Sequence, residues 1–165
     1  MGCSFVYFMD RLGLLDRFFE TTAAGLVLNR AENSCLTQLA TKGYLSPENL
    51  DRLRSEGLLQ SVARRDGTGV EADVEERIAP LVAAYRREKM DFVIVEDDVL
   101  RAKLISVGVR CVTTPDIVFH MVKKGALTVE EGIGALEGLR LLGWHDPETL
   151  ERIQAAVREE AGSVE

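Results

Sequence analysis

The part of the sequence that most directly predicts the fold is residues 91–114, DFVIVEDDVLRAKLISVGVRCVTT. An apolar run ends here at three consecutive acids, Glu96, Asp97 and Asp98, and a helical pattern of apolar residues follows. Gly108 separates this helix from a second short apolar run. The order predicts a strand–helix–strand unit with the acids at the carboxyl end of a buried strand, the edge where ligands bind in open parallel sheets.

The bunching of the three acids has two physical interpretations. Neighbouring carboxylates repel one another, and a divalent cation bound among them would relieve that repulsion. Acids at the start of a helix also act as caps, which stabilise the helix by about 1 kcal/mol. The residues alone leave both interpretations open.

The rest of the sequence alternates between helical patterns and short apolar runs. This alternation predicts an α/β fold with a mainly parallel sheet. A chain of 165 residues is expected to form a single domain, here residues 1–165. We predict helices over residues 4–19, 29–40, 47–57, 71–89, 115–124, 129–142 and 147–160, and short strands at residues 25–28 and 58–62.

Composition narrows the class of protein. No apolar run approaches the roughly 20 residues needed to span a bilayer, and the first residues lack the features of a signal peptide. The three cysteines, Cys3, Cys35 and Cys111, show no CxxC spacing and are expected to be reduced thiols of a cytoplasmic protein. The formal net charge of −7 disfavours extensive contact with nucleic-acid phosphates.

Several motifs from residue 93 onward occur in a characteristic order. These are Glu96-Asp97 after a strand, Arg101 within the next helix, Gly108-Val109, Thr113-Thr114, Lys123-Lys124-Gly125 and Leu142-Gly143-Trp144. In this order the chain resembles PIN domains, in the predicted nucleic-acid-binding branch related to toxin–antitoxin nucleases. The resemblance implies a three-layer α/β/α domain with a short, mainly parallel sheet.

The resemblance also implies a site. PIN domains resemble ribonucleases in which carboxylates hold Mg²⁺ or Mn²⁺, and the metal activates water for attack on a phosphodiester. The matching positions here are Glu32, Glu75, Glu96 and Asp97, of which the last three are expected to bind Mg²⁺ or Mn²⁺ weakly. Thr114 and Asp116, just past a strand end, could reach the same site, although Thr-Pro-Asp is also an ordinary start of a helix.

One acid of the implied site is missing from its expected position. In the favoured register that position is Gly2; in a second register a strand over residues 5–9 ends at Asp10. Loss of one strand-end carboxylate weakens or abolishes catalysis in such a site. The function expected is therefore a degenerate ribonuclease-like domain or, alternatively, a non-catalytic module that binds RNA or a protein.

The pattern of glycines in one of the late helices predicts self-association. Gly132, Gly134 and Gly138 leave a smooth surface along one helix, which another helix could approach closely in a homodimer or within the same chain. Trp144 is expected to close a corner of the core, and His120 and His145 to be structural.

Overall fold

The computed structural model describes residues 2–22, 26–28, 30–61 and 74–161. In these ranges the chain forms nine helices of 8 to 15 residues and four strands of two or three residues. The helices are α1 (Gly2–Arg11), α2 (Leu15–Thr22), α3 (Arg30–Thr41), α4 (Pro47–Ser55), α5 (Val74–Arg87), α6 (Asp98–Ser106), α7 (Thr114–Lys123), α8 (Val129–Leu142) and α9 (Pro147–Ala161). The strands are β1 (Leu26–Leu28), β2 (Leu59–Ser61), β3 (Val93–Ile94) and β4 (Cys111–Val112).

The predicted three-layer α/β/α architecture is wrong, because the described residues are mostly helical. Their strands form two separate parallel pairs, β1 with β2 and β3 with β4, and no larger sheet. Strands of two or three residues supply few ladder hydrogen bonds and little apolar surface. Such pairs cannot serve as a middle layer covered by helices on both faces.

The central strand–helix–strand unit is confirmed within this helical fold. Strand β3 runs parallel to β4, with Val93 opposite Cys111 and Ile94 opposite Val112, and α6 connects the two strands. The backbone N–H of Val95 donates to the carbonyl of Val112 at 2.9 Å, which extends the pairing to the last residue before the acids.

The chain divides into two compact units, and the single domain expected from its length stays a prediction. Unit 1 comprises Met1–Tyr7 and Gly25–Val112, and unit 2 comprises Phe8–Ala24 and Thr113–Glu165. One core of unit 1 lies between α5, α6 and the β3–β4 pair. Its buried members are Val95, Leu100, Leu104 and Val109, and Ile78, Leu81, Val82, Tyr85, Val93 and Cys111 pack against them.

The other helices of unit 1 are joined by polar and covalent links. The Arg54 guanidinium on α4 donates from Nη2 to Asn33 Oδ1 at 2.7 Å and to Thr37 Oγ1 at 2.9 Å on α3. A disulfide joins Cys3 on α1 to Cys35 on α3. The expectation that these two cysteines are reduced thiols is therefore wrong, whereas Cys111 is free and half-buried.

Unit 2 is built mainly from α7, α8 and α9, which pack against one another. Its fully buried apolar side chains include Met121 from α7, Leu136 and Leu139 from α8, and Leu150 from α9. The Arg17 guanidinium of α2 donates to Glu131 Oε1 at 2.8 Å, and the other oxygen of Glu131 accepts the backbone N–H of Thr128 at the start of α8. The hydrogen bond from Arg17 and, to a smaller extent, the one from Thr128 hold the pKa of Glu131 below its ordinary value.

The glycines of α8 serve packing inside unit 2. A Cβ at Gly132 would meet the Val122 side chain of α7, and a Cβ at Gly138 would lie 2.5 Å from Leu12 Cδ2, whereas a Cβ at Gly134 would meet nothing within 4 Å. At Gly132 and Gly138, therefore, the close packing is with residues of the same chain, which was one of the two interpretations of this glycine surface. The homodimer stays a prediction without support from these two residues.

The N-terminal helix predicted over residues 4–19 is interrupted. Helix α1 ends at Arg11 and α2 begins at Leu15, with Gly13 between them at a φ of 67°, a left-handed conformation that favours glycine. The register that placed a strand over residues 5–9 is wrong, because Asp10 lies inside α1. Among the described helices, none combines the length and apolarity that crossing a membrane requires.

Candidate functional site

The predicted strand-end acids lie where the sequence placed them, immediately after β3. Because β3 and β4 are parallel and Val95 is hydrogen-bonded to Val112, Glu96 and Asp97 follow the carboxyl end of this pair. Glu96 is half-buried and Asp97 is exposed. Val95, directly before them, is completely buried, so the backbone that carries the acids is anchored in the core of unit 1.

Two of the three acids contribute to the start of α6. Asp97 is its N-cap, and Oδ1 of Asp97 accepts the backbone N–H of Leu100 at 2.9 Å. The Asp98 carboxylate forms an ion pair with Arg101 at 2.5 Å, three residues further along the same helix. The capping interpretation of this acidic run therefore has direct geometric support.

The remaining predicted ligands belong to two other helices. Glu32 lies in the first turn of α3 and is half-buried. Glu75 belongs to α5, but its side chain lies outside the described part of the structure. Over the described residues, no three His, Cys, Asp or Glu side chains form a group that could hold a metal ion. The catalytic and metal-binding roles of Glu32, Glu75, Glu96 and Asp97 stay predictions.

Thr114 and Asp116 begin α7 in unit 2. Thr114 is completely buried. The Asp116 carboxylate accepts hydrogen bonds from both the backbone N–H and the hydroxyl of Thr113, at 2.8 and 2.7 Å. The first of these bonds satisfies a backbone N–H that the start of the helix leaves unpaired. The structure thus gives Asp116 a capping role, as the ordinary interpretation of Thr-Pro-Asp predicts.

Cys111 is a weak candidate for a reactive thiol. It lies on β4, and burial raises the pKa of its thiol, an effect that the nearby positive charge of Arg101 partly opposes. A raised pKa leaves less of the nucleophilic thiolate at neutral pH. Cys111 therefore behaves as a small apolar residue that packs against the core of unit 1.

A second candidate site lies at the α8–α9 corner, which we define as residues 141–146. Leu141 is 89% exposed and Trp144 is 70% exposed. The Trp144 ring contacts the Phe8 ring edge-to-face, with centroids 5.9 Å apart. The His145 ring also lies against the Phe8 ring, with centroids 5.2 Å apart. Because Phe8 is buried, it gives the exposed indole a fixed support. The prediction that Trp144 closes the core is wrong.

Acidic residues flank this corner. Between Glu137 and Glu151 the chain has four acids and a single arginine. That arginine, Arg140, is already paired with Glu137 at 3.5 Å and with Glu151 at 3.7 Å. Asp146 caps α9 by accepting the N–H of Thr149 at 2.9 Å, and Glu148 is exposed. The corner therefore combines exposed apolar surface with negative charge.

The exposure of Leu141 could have been predicted from its position around the axis of helix α8. Leu136 and Leu139 are completely buried on α8. Leu141 follows Leu139 by two residues, a rotation of about 200° on a helix with 3.6 residues per turn, so it points away from the packed face. The position of Trp144 has no such signal, because it lies beyond the end of the helix.

No family model, curated protein or solved structure matches this chain. The resemblance to PIN domains therefore stays a prediction from the sequence motifs, and the helical architecture does not add to it.

Proposed function

We propose that this chain is a non-catalytic, cytoplasmic protein-binding module whose docking surface is the α8–α9 corner. The observation that carries the proposal is the exposure of Leu141, in the last turn of α8, and of Trp144, two residues beyond the end of that helix. Tryptophan is enriched among the residues that dominate binding energy at protein interfaces. An indole supported by a buried phenylalanine ring also loses little conformational entropy on binding.

The negative charge of the α8–α9 corner indicates which kind of partner would bind there. Between Glu137 and Glu151 four acids accompany one arginine, which offsets part of the charge of Glu137 and Glu151. The remaining negative charge favours a cationic partner that also offers apolar side chains. The same charge disfavours RNA, whose phosphates would be repelled. It disfavours a second copy of this chain as well, since each copy has a net charge of −7. The proposed partner is a Lys- or Arg-rich amphipathic segment of another protein.

Trp144 allows this proposal to be tested directly, because it is the only tryptophan of the chain. We expect a synthetic amphipathic peptide of leucine and lysine to shift the tryptophan emission to shorter wavelength in a saturable titration. A peptide with glutamate in place of each lysine should give no shift. Added salt should weaken the binding, because exposed charges are screened.

A matched pair of variants locates the binding surface. Leu141→Ser is expected to weaken binding of the leucine–lysine peptide by about tenfold, equivalent to about 1.4 kcal/mol, measured by anisotropy of a labelled peptide. The control is Val99→Ser, which removes a side chain that is 60% exposed on α6. Equal binding of both peptides, or undiminished binding by Leu141→Ser, would refute the proposed surface.

A second candidate function is weak binding of Mg²⁺ or Mn²⁺ by the acids after β3, with ribonuclease activity weakened or lost. The observation that favours it is the parallel β3–β4 pair, which carries Glu96 and Asp97 at its carboxyl end. Hard divalent cations prefer carboxylate oxygens. Glu96 and Asp97 would supply such oxygens, and a bound cation would offset their mutual repulsion.

Substitutions of Asp97 separate capping from metal binding. Asparagine caps a helix about as well as aspartate, so Asp97→Asn should leave the stability of the metal-free protein nearly unchanged. It should abolish any rise in melting temperature caused by Mn²⁺, which binding to the folded state would produce. Asp97→Ala removes the cap as well and should lower the free energy of unfolding by about 1 kcal/mol.

The control for this series is Asp146→Asn, which changes another aspartate that caps a helix. It should keep the response of the wild type to Mn²⁺. A wild-type melting temperature that is indifferent to Mn²⁺, or an equal response from Asp97→Asn, would rule out the strand-end acids as a cation site.

A further inference from the structure

The N-terminal segment of unit 1 is held by a covalent cross-link. The disulfide between Cys3 and Cys35 spans 32 residues of sequence, and the two Cα atoms lie 6.4 Å apart. This separation is within the range that a disulfide allows. Both cysteines are half-buried rather than enclosed in the core.

The course of the chain gives this cross-link a particular role. Residues 1–7 belong to unit 1, the chain then passes into unit 2, and it returns to unit 1 only at residue 25. The disulfide is therefore a direct covalent link between the N-terminal segment and α3 inside unit 1. Without it, the segment is retained in unit 1 by the burial of side chains such as Phe5 and Val6.

We propose that the Cys3–Cys35 bond is a reversible redox latch, which fixes the first residues of α1 when oxidised and leaves them held only by side-chain packing when reduced. In the cytoplasmic location proposed above, on which this inference rests, disulfides are usually transient and linked to redox sensing or catalysis. A half-buried pair on two helices, far apart in sequence, fits this use. The latch acts on unit 1 and is independent of binding at the α8–α9 corner.

The reducing co-reactant is a small thiol such as glutathione. Its thiolate attacks one sulfur of the Cys3–Cys35 bond, which forms a mixed disulfide and releases the other cysteine as a thiolate. A second glutathione thiolate attacks the mixed disulfide and releases the remaining cysteine. Both cysteine thiolates take up protons, so the protein gains two electrons and two protons while two glutathione molecules become one glutathione disulfide. The reverse sequence closes the latch.

Cys111 supplies an internal control. It is free, and burial raises the pKa of its thiol, so thiol–disulfide exchange at this position is slow at neutral pH. Removing it by Cys111→Ser should leave the latch intact. Cys3→Ser and Cys35→Ser should each prevent its closure.

The test compares wild-type protein equilibrated with glutathione disulfide and with excess reduced glutathione. The oxidised protein should have one titratable thiol under denaturing conditions, and the reduced protein three. A cross-link over 32 residues constrains the unfolded chain, so oxidation should raise the melting temperature by roughly 10 °C. Hydrogen exchange of the amides of residues 5–7, which are the first with acceptors inside α1, should be at least tenfold faster in the reduced protein.

The variants distinguish the latch from a general effect of the redox buffer. Cys111→Ser should retain the difference in hydrogen exchange, and Cys35→Ser should show fast exchange in both buffers. Three titratable thiols after treatment with glutathione disulfide would overturn the proposal. So would a bond that survives excess reduced glutathione in the native protein, or equal exchange of residues 5–7 in the oxidised and reduced wild type. These three outcomes need no variant to fold.

Discussion

Replacing Leu104 by alanine is expected to lower the free energy of unfolding by about 3 kcal/mol. Leu104 is completely buried on α6 and belongs to the core that joins α5, α6 and the β3–β4 pair. The substitution removes apolar contacts and leaves a cavity that the rigid neighbours fill only in part, and such changes typically cost 2 to 5 kcal/mol. Urea denaturation followed by circular dichroism measures the change.

The adjacent residue provides a matched control for this substitution. Ile105 lies on the same helix but is 55% exposed, so Ile105→Ala removes a similar volume without opening a cavity. Since alanine is also the better helix former, we expect a change within about 0.5 kcal/mol of the wild type. Comparable losses from both substitutions would mean that α6 is not packed as the structure has it.

A second effect on stability is expected at Gly132 of α8. Alanine at an ordinary helical position stabilises by about 1 kcal/mol relative to glycine. At Gly132, however, the added Cβ would clash with a γ-methyl of Val122 and approach Val157 Cγ1 to 3.5 Å. Valine on a helix has one strongly preferred rotamer and yields little. Overpacking costs typically 1 to 3 kcal/mol, so Gly132→Ala should be destabilising by about 1 kcal/mol overall.

Gly134 is the natural comparison, because a Cβ there meets no atom within 4 Å. We expect Gly134→Ala to stabilise by about 1 kcal/mol, so that the two substitutions on one helix differ in sign. The melting temperatures of the two variants and of the wild type measure these changes. If Gly132→Ala stabilised the protein as much as Gly134→Ala, the close contact between α7 and α8 at this point would be contradicted.

The local features of the chain were predictable because they depend on neighbouring residues. The Ser46 cap of α4 is present, with its hydroxyl accepting the backbone N–H of Asn49 at 3.2 Å. Gly143 ends α8 at a φ of 71°, a conformation that costs glycine little. The β3–α6–β4 unit was also predictable, because an apolar run, a helical pattern and a second apolar run follow one another within 24 residues.

The candidate site was predictable in part. The position of Glu96 and Asp97 after a buried strand follows from the sequence, and so does one of the two uses of Asp97, as a helix cap. The α8–α9 corner does not follow from the sequence, because the pattern there predicts that Trp144 closes a corner of the core. Its exposure depends on how α8 and α9 pack, which a linear pattern near a helix end does not determine.

The sequence by itself determined where most helices begin and end and which short runs become strands, because capping, glycine conformation and apolar periodicity act over a few residues. Only the tertiary structure decided that these strands form two separate pairs rather than one sheet. It also decided that Cys3 bonds to Cys35, and that side chains of the same chain fill the space beside Gly132 and Gly138. Each of these pairings joins different secondary-structure elements, so it depends on how the elements pack and not on the local pattern of residues.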